Sequence, residues 1–466
     1  MNKSLIFVLA IAGGSLIAGF LIFSSMRVSD TTQQPLQLFQ NKSSPYISEF
    51  TVETKDARVN AIAVDGDGIV WFVENEVNRL ASFDPVEQIF REYNIPGEIG
   101  FAWSIVAEKR NEIWFIDSEK DNLWKFDIAN NNFKSYNLPS KGSFPLQMAL
   151  DQAGNIWFTE FSALNKTGDK IAMFDAKTER FVEYRTPTPE SGPIGIAFDS
   201  SGNIWFTELS KIGVFFPSNS SFKEYDFPKP VIPPTGIAID DDNTIWFTQH
   251  GGNKIAKFIP FNDTLIEYST LSLRKDYPAT LPYWIKLDRH GNLWFNEHTG
   301  NKIAKFIPSN ETLIEYHIPS KDIVDALTFT LDKDGNVWFT ELTGNKIGFV
   351  NASFPAAFTV DAFPKQVTVH AGETSEIKLT VKATSASYSS KISFIATSTM
   401  TPLGRFTNAT ALFIPSGLNL EDDSVETALR IQTEPTLLAG KYKVSVGATD
   451  GFVSYLTTID LIVLGK

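Results

Sequence analysis

The chain has 466 residues, with 54 acids against 41 bases, a net charge of -13, 38 Phe, 10 Trp and no Cys. The missing Cys excludes disulfides, thiolate catalysis, Cys-ligated zinc and iron–sulfur clusters. The acidic balance without a long basic run argues against a nucleic-acid partner. No P-loop, G-x-S-x-G, H-E-x-x-H, EF-hand loop or dinucleotide fingerprint is present, so no nucleotide or haem cofactor is expected.

In chain order, residues 1–26 come first. An apolar run from Leu5 to Phe23, broken only by Gly and one Ser, reads as an N-terminal hydrophobic helix. It is either a membrane anchor or a signal peptide. Either places the bulk of the chain on the extracytoplasmic face of a membrane, or free of it if the segment is cleaved. Residues 27–45 read as a polar linker. Seven N-x-S/T sequons begin at Asn41, Asn165, Asn219, Asn262, Asn310, Asn351 and Asn408 and are glycosylation candidates in an exported chain.

A repeat then sets the architecture. Trp-Phe pairs begin at Trp71, Trp114, Trp157, Trp205, Trp246, Trp294 and Trp338, at spacings of 43, 43, 48, 41, 48 and 44. Six residues before each Trp stands an acid: Asp65, Glu108, Asp151, Asp199, Asp240, Asp288 and Asp332. Turn formers between acid and Trp mark a hairpin. A Lys-Ile strand and a strand ending in Glu-Tyr follow, giving four short strands per repeat, which is a propeller blade. After Trp338 the Glu-Tyr strand is missing, and Ile47-Ser48-Glu49-Phe50 supplies its like from the other end. The spacing therefore predicts an all-β chain with a seven-bladed β-propeller over 46–354. Its aromatic excess belongs to packing between blades. Residues 355–466 hold no Trp and alternate in short apolar runs, as in Lys441-Tyr442-Lys443-Val444-Ser445-Val446, which predicts a C-terminal immunoglobulin-like β-sandwich.

Loops after the second and before the first strand of each blade share one mouth of the channel. Three residues after each Trp come Glu74, Asp117, Glu160, Glu208, Gln249, Glu297 and Glu341. Facing the channel, they would form an acidic ring able to hold a divalent cation, Mg²⁺ or Ca²⁺. Turned away, they would take backbone N–H groups or pair with the Lys of Gly-Asn-Lys-Ile. His250 and His298 follow two of these positions in adjacent blades. With Glu297, Asp325 and Glu341 they could form a mixed metal site or an acid–base pair. Glu297, Glu341 and Asp325 are the candidate metal ligands; His298, His250 and Glu341 are the candidate catalytic residues. Neighbouring residues of a strand point opposite ways, so Glu297 and His298 need not share a target. Tyr283, Trp284 and Trp103 stand at the same mouth and could stack on a ligand or simply pack. His290, His317 and His370 read as structural or exposed.

Gly-Ile-Ala-Phe-Asp-Ser-Ser-Gly-Asn-Ile-Trp-Phe-Thr-Glu (195–208) and Trp-Phe-Thr-Glu-Leu-Thr-Gly-Asn-Lys-Ile-Gly (338–348) resemble repeats of the streptogramin B lyase family, the virginiamycin-type lyases with seven-bladed propellers. The resemblance covers 46–354. It implies Mg²⁺ and a histidine before the first strand of each of the last two blades. One of these is a general base that opens a cyclic depsipeptide by elimination. It further implies an acid two residues before the last histidine and a Glu after the last Trp-Phe-Thr. The Glu matches Glu341 and the acid matches Asp325. The two histidine positions hold Tyr283 and Leu327. Leu327 cannot take a proton, and related propellers also serve as binding platforms and lactone hydrolases.

The leading expectation is thus a surface-anchored propeller that binds a ligand, a cell-surface protein or a glycan at an acidic mouth, with the sandwich as spacer or docking module. The second is a divalent-metal-dependent lyase or a lactone/ester hydrolase acting on a small cyclic ester, with His298 or His250 as base. The third is a structural cell-envelope scaffold, favoured if the mouth is plugged.

Overall fold

The computed structural model describes residues 44–107, 111–161, 168–227, 232–270, 279–320, 322–396, 409–420 and 423–465. The expected N-terminal helix, most of the linker, Glu108 and the sequons at Asn41, Asn165 and Asn408 lie outside them. No helix among the described residues is long and apolar enough to cross a membrane.

Seven four-stranded antiparallel blades follow one another. Blade one runs Val59–Val64, Val70–Glu74, Arg79–Asp84 and Ile89–Asn94, and blade six runs Pro282–Leu287, Leu293–Glu297, Lys302–Ile307 and Thr312–His317. In blade seven the chain provides Phe329–Leu331, Val337–Glu341 and Lys346–Val350, and Ile47–Thr51 adds the outer strand. Its register sets Ile47 against Val350 and Thr51 against Lys346. Each inner strand touches the inner strand of the next blade, and the seventh touches the first, so the ring is closed. Closure leaves no long open edge inside the ring.

The repeated residues explain why each blade forms. In five blades the acid accepts the indole N–H of the Trp six residues on: Asp65, Asp151, Asp199, Asp240 and Asp288, at 2.8, 3.1, 3.0, 2.9 and 3.2 Å. The other oxygen of Asp65 takes the N–H groups of Asp67 and Ile69, which fixes the hairpin between them. Trp114 instead bonds Glu112, at 3.1 Å. Each Trp then lies against the next blade: Trp71 is 5.9 Å from Phe126, Trp114 5.6 Å from Phe174, and Trp338 5.9 Å from Phe83 across the closing seam. The aromatic residues are the material between blades.

Strands from Phe358 to Leu464 form two facing sheets. One is Phe358–Phe363, Thr374–Ala383, Ser424–Thr433 and Ala409–Ile414 in spatial order. The other holds Val453–Leu464, Gly440–Thr449, Ser390–Ala396 and Gly417–Leu420, with Gln366–His370 parallel to Val453–Leu464. This second sheet does not stop at the sandwich. Val453–Leu464 also pairs antiparallel with Thr312–His317, the outer strand of blade six, so sandwich and propeller share one nine-stranded sheet. His317 is buried there and bonds Ser454 at 2.7 Å; Lys443 bridges Glu311 at 2.7 Å and Asp460 at 2.9 Å. Leu456 and Ile395 enter the core of blades five and six beside Trp246, Phe306 and Leu313. The spacer reading gives way to a fused junction.

All ten Trp lie in the propeller, so Trp fluorescence reports on the ring alone. Leu456 is fully buried, and Leu456→Ala should cost about 2–5 kcal/mol. Because the sheet is continuous, this sandwich substitution is expected to lower the fluorescence midpoint of urea unfolding together with the circular-dichroism midpoint. Separate midpoints would contradict the shared core.

Candidate functional site

The expected acidic ring does not face the channel. Glu74, Asp117, Glu160, Gln249, Glu297 and Glu341 end second strands, Glu208 directly follows one, and all are buried within the blades. Most sit opposite the first residue of the third strand, a Lys or Arg, which also meets a Glu of the fourth strand. Lys302 lies 3.4 Å from Glu297 and 2.7 Å from Glu315. Lys170 lies 3.8 Å from Glu160 and 2.8 Å from Glu183. In blade seven Lys346 reaches Glu49 of the closing strand at 3.2 Å, and Ser320 bonds Glu49 at 2.6 Å and Glu341 at 3.4 Å. Blade one repeats the pattern with Arg79 and Glu92. Blade two has Asn122 in place of the cation, and there Asp117 accepts the N–H groups of Gly100, Phe101, Glu119 and Lys120.

In blades one, three, four, six and seven one cation stands between two carboxyls, which leaves a surplus negative charge there. Burial, followed by repulsion from the outer Glu, pushes Glu74 up to about 7 and Glu160 up to about 8. Burial pushes Glu208 up to about 7, and burial with repulsion from Glu49 pushes Glu341 up to about 9. Burial raises Glu297 as well, and Lys302 only partly offsets it. The surplus favours a proton on the inner carboxyl. Glu297 and Glu341, held in separate blades by Lys302 and by Ser320 and Glu49, do not meet Asp325 in a common donor set. No three His, Asp or Glu groups converge to hold a metal ion among the described residues. The expected Mg²⁺ or Ca²⁺ ligand set therefore does not fit this arrangement, because the acids serve the blade interior.

The mouth itself is plugged by aromatic rings. Trp103 of blade two and Tyr283 of blade six lie 5.8 Å apart, with Phe101 5.2 Å from Trp103 and Trp284 4.6 Å from Tyr283. Trp103, Tyr283 and Trp284 are buried, so they pack on one another and offer no open stacking face. Burial raises the Tyr283 hydroxyl above its ordinary pKa, the opposite of what a base at that position needs. Leu327, at the other histidine position, is buried too. Beneath the plug the channel encloses 460 Å³, walled by the seven inner strands with Trp103 and Trp284 at its closed end.

Over the plug lie His250 and His298. Their Nε2 atoms are 2.9 Å apart. Asp325 Oδ1 lies 3.5 Å from Nδ1 of His298, close enough for charge attraction but without a hydrogen bond between them. Tyr283 packs edge-on against both rings, at 5.4 and 6.3 Å. His298 is buried and His250 half-buried. Burial, then the neighbouring His298, holds His250 well below the usual imidazole pKa. Asp325 occupies a left-handed slot, φ 48°, thirteen residues before its blade Trp; Arg58, Phe144, Gly192 and Leu281 fill the same slot in other blades. Its carbonyl accepts from Leu327 at 2.8 Å and Leu342 at 3.3 Å, which fixes the carboxylate over His298. Of the other histidines, His290 and His370 are exposed. The four described sequons use their Asn side chains in local turns, Oδ1 accepting from Ser221, Thr264, Thr312 and Ser353.

A family model for the virginiamycin B lyase family matches residues 31–276. A streptogramin B lyase structure is 27% identical, with a TM-score of 0.58, covering 66% of this chain and 97% of that one. Virginiamycin B lyase from Staphylococcus aureus is 25% identical, TM-score 0.57, covering 66% and 98%. The same figures hold for a catalytically inactive histidine-to-alanine variant of that enzyme with quinupristin. No curated protein matches the chain.

Proposed function

Because the chain belongs to the virginiamycin B lyase family, we propose that it keeps the family's propeller as a recognition surface without the family's elimination chemistry at the channel mouth. The observation that carries this reading is the plug. Where the resemblance expects two histidines, Tyr283 packs against Trp103 and Leu327 is buried. Neither offers a base, and the Glu341 carboxyl that matches the family's Glu is engaged inside blade seven with Ser320. The ligand, protein or glycan, binds on the loop face above the plug. The apolar Leu5–Phe23 run supports an exported, membrane-attached chain. The fused sandwich supports a rigid presentation of that face.

Incubation with quinupristin tests the absence of elimination. An elimination product is isomeric with the ring, so the readout is chromatographic retention rather than mass. The ring-closed compound is expected to persist. Accumulation of the linear isomer, lost on Glu341→Gln, would overturn the reading.

A further inference from the structure

We propose that Asp325, His298 and His250 form a proton relay whose open end, Nδ1 of His250, is a nucleophile toward activated esters on the loop face. This stands apart from the recognition role and from the two positions where the family resemblance places its histidines.

The geometry sets the direction of the relay. The imidazole planes differ by only 13° and their centroids are 5.2 Å apart. That exceeds the 2.9 Å nitrogen separation by about two ring radii, so the rings lie end to end. Their Nε2 lone-pair directions oppose each other. They share one proton in a hydrogen bond and do not converge on a common metal. Asp325 faces Nδ1 of His298 and favours a proton there. His298 must then accept at Nε2, and His250 must donate from its own Nε2. The remaining lone pair of the relay is Nδ1 of His250, the half-buried member.

The supports are rigid. His250 opens a one-turn 3₁₀ helix, His250–Gly252, closed by Asn253 in the left-handed region. Asn253 Oδ1 in turn accepts from Thr280 at 2.8 Å and Leu281 at 3.1 Å. Tyr283 braces both rings from below. The low proton affinity of His250 keeps its lone pair free at neutral pH. It also makes His250 a weak base, suited to an electrophilic carbonyl rather than to a carbon acid.

In the first step Nδ1 bonds to the acyl carbon and the carbon–oxygen bond to the leaving group breaks. The Nε2 proton of His250 passes to Nε2 of His298, where Asp325 faces the resulting imidazolium. In the second step water adds to the acyl carbon and the acyl–nitrogen bond breaks. The acid departs, the leaving oxygen takes up one proton, and His250 regains its own. The sum is hydrolysis of one ester by one water, with His250 as the catalytic residue and His298 and Asp325 as positioning residues.

Diethyl pyrocarbonate and p-nitrophenyl acetate serve as probes on the full chain. Peptide mapping after brief diethyl pyrocarbonate treatment should show His250 modified at least about 10-fold faster than the exposed His290 and His370. Asp325→Asn and His298→Gln should remove that advantage, Asp325→Glu should restore part of it, and His290→Gln should leave it unchanged. Release of p-nitrophenol should fall to the background of free imidazole in His250→Gln. Thermal unfolding of each variant separates lost reactivity from lost folding. A His250 no faster than His290 in the wild type, or one indifferent to Asp325→Asn in a folded variant, would overturn the relay.

Discussion

Lys302→Met is expected to destabilise the protein by about 3–5 kcal/mol. Lys302 is buried between Glu297 and Glu315, both fully buried. Burial alone would lower its pKa, but Glu315 and then Glu297 outweigh that and hold it raised. Without the ammonium, the two carboxyls lose the cation that stands between them in the blade. Urea unfolding at pH 7 measures the loss. The loss should shrink at pH 5, because burial raises the pKa of Glu297 and its carboxyl is then more fully protonated. Adding Glu297→Gln and Glu315→Gln to Lys302→Met should recover most of the stability, since the charge conflict is then gone. A triple variant as unstable as the single one would assign the effect to packing instead.

Stability is expected to fall from about pH 5 to pH 9, contrary to the usual behaviour of a protein rich in paired carboxylates. The folded pKa values of Glu74, Glu160, Glu208 and Glu341 are raised to about 7, 8, 7 and 9, and Glu297 is raised too. An acid whose folded pKa exceeds its unfolded value binds protons better in the folded chain. Its contribution is intact below the unfolded pKa and is lost progressively as pH rises to the folded one, so the loss begins near pH 5 and is complete by about pH 9. Each unit of difference corresponds to about 1.4 kcal/mol, so several carboxyls acting together should move the urea midpoint visibly. Below about pH 4 the trend reverses, because Asp151, Asp199 and Asp288, held low by hydrogen bonds that outweigh their burial, must be protonated. Glu160→Gln should stabilise at pH 9 and change little at pH 5. Blade five already carries this substitution in its own sequence: Gln249 stands where the other blades have an acid, beside the Lys254–Glu267 pair. A pH-independent midpoint would show that the inner carboxyls are ionised in the folded state.

The ring was legible because its determinants are local and repeated. Asp-to-Trp spacing reports a hairpin, and the lost Glu-Tyr strand after Trp338 points to Ile47-Ser48-Glu49-Phe50. The direction of the acids was open from spacing alone. Strand alternation separates Glu297 from His298, as the structure bears out, but it does not say which of the two turns toward the mouth. Three contacts were beyond reach. The plug depends on Trp103 and Tyr283 meeting across 180 positions of sequence, and aromatic residues before an inner strand read equally well as ligand platforms. The fusion of Val453–Leu464 to Thr312–His317 leaves no local mark, because any strand edge has the same backbone groups. His250 and His298 could be placed in neighbouring loops by blade arithmetic. Their end-to-end bond could not, since it depends on ring orientation.

Closure by Ile47–Thr51 carries a cost in time. The partner of Glu49 in the seam, Lys346, follows it by 297 positions. At a synthesis rate of roughly 5–20 residues per second, Ile47–Thr51 waits some 15 to 60 seconds for the strand it completes. Blade six waits likewise for the last strand of the chain. Until then two strand edges are open to neighbouring nascent chains. The charge of Glu49 on one and the Glu315 carboxyl on the other discourage mispairing during that interval.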